Sequence, residues 1–143
     1  EQQETVLDKI HRPARFRILE DHTFRQNNPA VVGVEIMAGT VQNNRYVAKF
    51  ENGEKVRVGE LSGMQENGED VSEARAGSRV SVAIDGPTVG RQIEEGDELW
   101  IDLPEKHAKI LEQELKEEIP GDEREALNAY LDTMRKRDPF WGK

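Results

Sequence analysis

The 143-residue chain has no cysteine. This excludes disulfides, thiolate zinc sites, iron–sulfur clusters and cysteine nucleophiles. Aromatic residues make up only 6% of it and hydrophobic residues 35%, so a core has to be built mainly from aliphatic side chains. No apolar run approaches the roughly 20 residues that a membrane-spanning helix needs; Ala30–Val34 is about the longest. Signal-peptide and N-x-S/T patterns are missing too, and a soluble intracellular protein is the expectation. Neither G-x-x-x-x-G-K-[ST] nor G-x-G-x-x-G occurs, which argues against unaided nucleoside triphosphate hydrolysis. Basic excess is also lacking: 29 Asp+Glu face 20 Lys+Arg, for a formal net charge of −9. At first sight this disfavours a generic nucleic-acid binder, because phosphate contacts favour a basic face. Acidic and Lys-poor together, the composition fits adaptation to high salt.

Hydrogen-bonding and titratable groups are plentiful, but few are arranged for chemistry. The three histidines, His11, His22 and His107, have no metal-ligand spacing. Glu66-Asn67-Gly68-Glu69-Asp70 lacks the twelve-residue pattern of a calcium loop and reads as a hairpin turn. A catalytic carboxylate pair needs environments that drive two pKa values apart, and nothing in the sequence marks one. A small carboxylate-dependent hydrolase is therefore a remote alternative.

Residue periodicity divides the chain into three parts. In residues 1–13, Val6, Leu7 and Ile10 fall at helical spacing before Pro13, so Glu1–Arg12 reads as the end of a helix. Over 14–103 the period becomes two: Phe16 and Ile18; Val32, Val34 and Ile36; Tyr46, Ala48 and Phe50; Val56 and Val58; Val80, Val82 and Ile84; Leu99, Ile101 and Leu103. Turn signals separate these runs, Asn52-Gly53 being the best hairpin signal among them. Short strands at this spacing without intervening helices predict a closed antiparallel barrel or sandwich. Over 104–143 the period becomes 3.6. Ala108, Leu111, Leu115 and Ile119 form one stripe, and Leu127, Tyr130, Leu131 and Met134 a second. Pro120-Gly121 separates two helices, with Asp122 and Glu125 resembling a capping box. A connection of two or three residues predicts an antiparallel pair. Neither helix is long enough to stand alone, so both are expected to dock on the barrel. Phe140 and Trp141 follow Pro139; docking onto the helix–barrel interface is favoured over a groove for a partner peptide.

Charge is uneven within the acidic whole. Lys9 to Arg25 holds five basic residues against Glu20 and Asp21. Arg45, Lys49, Arg75 and Arg91 lie near expected strand ends.

Several segments resemble a known family. Val32-Gly33-Val34-Glu35-Ile36-Met37-Ala38-Gly39-Thr40-Val41 looks like the strand and glycine turn that open a translation-factor barrel. Glu73–Gly86 resembles the E-A-x-A-G-x-x-V…G stretch of that barrel, and Gly96-Asp97-Glu98-Leu99 its closing strand. Phe24–Ala30, Val89–Ile93 and the Lys136–Gly142 ending narrow the resemblance to the C-terminal domain of archaeal translation initiation factor 5B. The resemblance spans essentially the whole chain. It implies a mainly β fold: a translation-factor-type antiparallel β-barrel, preceded by the end of a connector helix and followed by an antiparallel pair of α-helices.

It also implies a non-catalytic, cytoplasmic, monomeric module of a ribosome-dependent GTPase that promotes subunit joining. GTP and Mg would belong to a separate G domain. Partners would be initiator methionyl-tRNA, initiation factor 1A and the ribosome. An RNA acceptor end calls for cations on the backbone and an apolar or aromatic surface for the end. Arg25, Arg45, Lys49, Arg75 and Arg91 are the RNA-binding candidates, with Tyr46 or Phe50 available for stacking. Leu111, Leu115, Tyr130, Met134, Phe140 and Trp141 are the partner-binding candidates. The barrel module of an elongation- or selenocysteine-type GTPase is the alternative.

Overall fold

A computed structural model describes residues 10–143. The expected first helix falls largely on residues 1–9, outside the described residues. Its last part, Ile10–Arg12, is not helical; Ile10 is buried, and the His11 amide donates to His107 Nδ1 (3.1 Å).

Eight strands follow: β1 (Ala14–Arg25), β2 (Ala30–Gln42), β3 (Tyr46–Glu51), β4 (Glu54–Glu66), β5 (Glu69–Asp70), β6 (Glu73–Arg75), β7 (Arg79–Asp85) and β8 (Glu98–Ile101). Six of them pair antiparallel in the order β1-β8-β3-β4-β7-β2, and β2 returns to β1, closing the barrel. Short β5 pairs antiparallel with the end of β4, and β6 pairs with the end of β2. The expected mainly β barrel with two C-terminal helices is the observed fold. Inward-facing Phe16, Ile18, Val32, Val34, Ile36, Val80, Val82 and Ile84 are buried, as alternation on a half-buried strand requires. The Asn52-Gly53 hairpin forms with positive φ at both positions (52° and 80°), the conformation of a type I′ turn.

Two strands depart from simple alternation. Val47 and Ala48 are buried side by side because the β3–β4 register shifts between them. In β4, Val56 is exposed and the inward set is Val58, Leu61 and Met64, with a second shift between Leu61 and Gly63. In β8, Leu99, Trp100 and Ile101 are all buried, because the outer face of this strand is covered as well. Phe50 and Tyr130 meet the Trp100 ring at 5.6 and 6.1 Å.

The helices are α1 (Glu105–Gln113) and α2 (Gly121–Arg137). The first is shorter than its apolar stripe suggests. Leu115 and Ile119 are buried from the turns between the helices, not from a helix. The expected capping box is not used: Pro120 precedes α2 without a side-chain cap. Asp122 instead accepts from the Gly39 amide (3.2 Å), drawing the start of α2 onto the barrel.

Candidate functional site

One end of the barrel gathers two of the predicted RNA-binding cations. Strand β1 overruns its pairing with β8 and continues to Arg25. Glu95, in the loop before β8, accepts from Thr23 Oγ1 (2.7 Å) and from the Asp21 amide (3.1 Å). The hydrogen bond from the Thr23 hydroxyl holds its carboxyl below the usual range. The Val89 amide donates to the Gln26 carbonyl (2.9 Å), and the Gln26 side chain returns a bond to the Val89 carbonyl (3.3 Å). This clasp fixes the β1–β2 turn against the loop carrying Arg91. Both Arg25 and Arg91 are exposed. Arg25 Nε donates to the Asn27 carbonyl (2.9 Å), and neither guanidinium pairs with a carboxylate among the described residues. Phe24 stands beside Arg25, 65% exposed. Cations without carboxylate partners among the described residues, on segments clasped together and beside an exposed aromatic residue, suit a single-stranded nucleic acid.

The other three cations lie elsewhere. Lys49 is engaged by Glu51 (3.6 Å) and Asp97 (3.8 Å) beside the α2 seam. Arg75 is exposed on β6, 3.7 Å from Glu73. Arg45 is half-buried, its Nε has no hydrogen-bond partner among the described residues, and burial lowers its pKa. It faces a pair of histidines whose rings meet edge to face at 4.7 Å. Burial, then the Arg45 charge, lowers His11 to about 4, and His107 shifts the same way. Of the two stacking candidates, Phe50 is packed against the core. Tyr46 is exposed, but the Arg57 guanidinium lies 3.9 Å above its ring.

The predicted partner-binding set divides in the same way. Leu111, Leu115 and Tyr130 are buried in the core, so they support a surface and do not form one; their apolar stripes are consumed by docking. Burial, then the Asp102 charge, pushes the Tyr130 phenol up. Met134 is half-buried. Trp141 docks as expected, its ring 5.8 Å from that of Tyr130. Arg135 fastens it, donating from Nε to the Trp141 carbonyl (2.8 Å) while forking onto Glu112 (2.8 and 3.0 Å). Glu105 accepts from the Gly142 amide (2.9 Å). Phe140 does not dock; it is 78% exposed.

A family model, elongation factor Tu domain 4, matches residues 12–100, the length of the barrel. The chain belongs to this family. Similarity to individual proteins extends past the barrel through both helices. The chain is 75% identical to a probable translation initiation factor IF-2 of Haloquadratum walsbyi over 142 residues, which is 99% of this chain and 23% of that protein. It is 77% identical to the same factor of Halorubrum lacusprofundi over 99% of this chain and 24% of that protein. Against Methanococcoides burtonii the identity is 48%, again over 99% of this chain and 23% of that protein. A solved structure, GDP-bound aIF5B from Aeropyrum pernix, superposes with a TM-score of 0.88 at 29% identity, covering 99% of this chain and 23% of that one. The chain thus spans about a quarter of the length of the relatives it matches. Several of those relatives come from halophilic archaea.

Sequence reasoning did not single out the exposed Phe24, although it opens one of the segments that carried the resemblance. It also missed the Gln26–Val89 clasp. The available signal was the overrun of β1 beyond its alternating apolar residues, ending in an aromatic residue and a cation.

Proposed function

We propose that this chain is a non-catalytic, C-terminal binding module of a ribosome-dependent initiation GTPase. Its barrel receives the acceptor end of initiator methionyl-tRNA, and its helix end receives the C-terminal tail of initiation factor 1A. GTP and Mg²⁺ would be held by another part of the full-length factor. The observation that carries the reading is that Arg25 and Arg91, both without carboxylate partners among the described residues, lie on segments clasped together, in a chain of net charge −9. Elsewhere on this acidic surface, Lys49 and Arg75 lie against carboxylates. Similarity to initiation factors over both helices, at 66–77% identity among the halophilic relatives, favours this reading over an elongation-type module. The barrel model alone would fit either. With Leu111, Leu115 and Tyr130 buried, the factor 1A tail would meet Met134, Phe140 and the rim of Trp141.

The test is titration of the domain with a methionylated acceptor-stem RNA, read by fluorescence anisotropy. Arg25→Glu combined with Arg91→Glu should weaken binding at least about tenfold, since each charge-assisted contact is worth roughly 1.5–3 kcal/mol. Arg75→Glu, on a cation already beside Glu73, should change it little. Unchanged affinity in the double variant rejects the reading. In chemical-shift maps, RNA and a factor 1A tail peptide should leave disjoint footprints, one at the barrel end and one at the helix end.

A further inference from the structure

Phe24 lines a shallow concavity on the outer wall of the barrel, together with His22, Gly33, Asn67, Arg79 and Ser81. Its construction is specific. Strand β1 breaks register between Ile18 and Thr23, with Asp21 at φ 60°. The break lays His22 across Gly33, where an added Cβ would sit 2.9 Å from the His22 Cβ. His22 is held in place by Nδ1, 2.6 Å from the Glu20 carbonyl oxygen. Its ring meets the Phe24 ring edge-on at 6.3 Å, which braces Phe24 and leaves its remaining surface open.

The charge beside this ring is positive. Arg79 is 70% exposed, and its nearest carboxylate oxygen, Glu35 Oε2, is 4.0 Å away. Glu35 is already engaged by Arg17 at 3.2 Å, so one carboxylate faces two guanidinium groups. On the other side of Phe24 lies Arg25. Glu95, the acid of that second hollow, is occupied by Thr23 and the Asp21 amide. The exposed ring thus borders two hollows, one also lined by Arg79 and the other by Arg25, so a stacked base would have a cation within each hollow to meet its phosphates. Aromatic side chains stack unpaired bases without regard to sequence, whereas paired bases present no free face.

We propose that this concavity is a base-binding site, in which one unpaired nucleobase stacks on Phe24, braced by His22, with a neighbouring phosphate at Arg79. The proposal rests on the RNA-binding reading above and adds a subsite to it. Phe24 is a contact residue; His22 and Gly33 are positioning residues.

The test uses an acceptor-stem RNA hairpin with an unpaired 3′ overhang, carrying 2-aminopurine at one overhang position at a time. At one position the domain should quench the fluorophore. Phe24→Ala should abolish the quenching and weaken binding about tenfold, within the range of one lost base–aromatic stack. Phe24→Trp should restore both. This loss should be nearly independent of KCl, whereas the loss in Arg25→Glu should shrink as salt rises. A blunt hairpin should bind Phe24→Ala and the unaltered domain equally. If Phe24→Ala binds as well as the unaltered domain while Arg25→Glu binds worse, the base site is overturned and the RNA-binding reading stands. If Phe24→Ala weakens the blunt hairpin equally, the ring does not read an unpaired base and the proposal is again overturned. No binding by the unaltered domain removes both. Phe24 is exposed, so an unchanged melting temperature in Phe24→Ala separates lost binding from lost fold.

Discussion

Asp102 is buried at the seam between barrel and helices, and three side chains converge on it. Lys55 Nζ donates at 2.6 Å, Arg57 Nε at 2.8 Å and the Tyr130 hydroxyl lies at 3.5 Å. Burial alone would raise its pKa, but the hydrogen bonds from Lys55 and Arg57 outweigh it and hold the carboxyl below its usual range. Removing one member of a buried ion group strands the others. Asp102→Asn should therefore cost about 2–3 kcal/mol near neutral pH, less than for a fully enclosed pair because Arg57 is half exposed. A carboxyl whose folded pKa is depressed contributes stability above its unfolded value, near 3.9, and loses it as pH falls through the folded value. The gap between the unaltered domain and Asp102→Asn in urea unfolding should therefore be constant from neutral pH down to about 4 and close below it. A gap that persists at lower pH would mean that the carboxylate charge is not the source. Nothing in the Trp100-Ile101-Asp102-Leu103 run identifies this acid as special. Its role appears only when β4, β8 and α2 meet.

At the scale of elements, the helices are fastened to the barrel by a polar latch as well as by their apolar stripes. Glu123, near the start of α2, is buried; it accepts from Thr40 Oγ1 of β2 at 2.8 Å and from Arg12 Nε at 3.1 Å. Burial raises its pKa despite the Thr40 hydrogen bond and the Arg12 charge, both of which favour the ionised form. The neighbouring Asp122 accepts from the Gly39 amide. Gly39 has φ 87°, and a Cβ there would collide with the Pro13 carbonyl oxygen, so the β1–β2 contact beneath α2 requires glycine. Thr40→Val keeps the shape of the side chain and removes the hydroxyl donor. It should destabilise the domain by about 2 kcal/mol, as expected for a hydrogen bond to a buried charge, measured by urea unfolding. A cost near zero would mean that the apolar stripes alone seat the helix. The stripes themselves were legible from spacing, because helical period reports which residues are buried. The end of α1 was not: Leu115 and Ile119 keep the same spacing although the chain leaves the helix after Gln113. Burial alone cannot distinguish a helix from tight turns that serve the same core.

At the scale of the molecule, 29 acids against 20 Lys and Arg produce self-repulsion on a small surface. Added salt shortens the screening length to about 3 Å at 1 M. The melting temperature should therefore rise with KCl. Replacing the exposed Glu69, Glu94 and Glu125 with Gln should raise it at low salt and flatten its salt dependence. An equally steep dependence in that variant would assign the salt effect to apolar burial instead. On the RNA-binding function proposed above, the same screening would leave short-range contacts at Arg25, Arg91 and Phe24 to govern affinity, and net charge would be a poor guide to it. By itself, the sequence determined the barrel class, the two helices after it and the family, because period, turn residues and motif order are local or one-dimensional properties. Only the tertiary structure decided which candidates share a surface. Arg25 and Arg91 are 66 positions apart in the chain and lie at one end of the barrel because Gln26 and Val89 exchange backbone and side-chain hydrogen bonds. Leu111, Leu115 and Tyr130 were withdrawn from any partner surface by the docking of the helices, since an apolar stripe is exposed only until something packs on it.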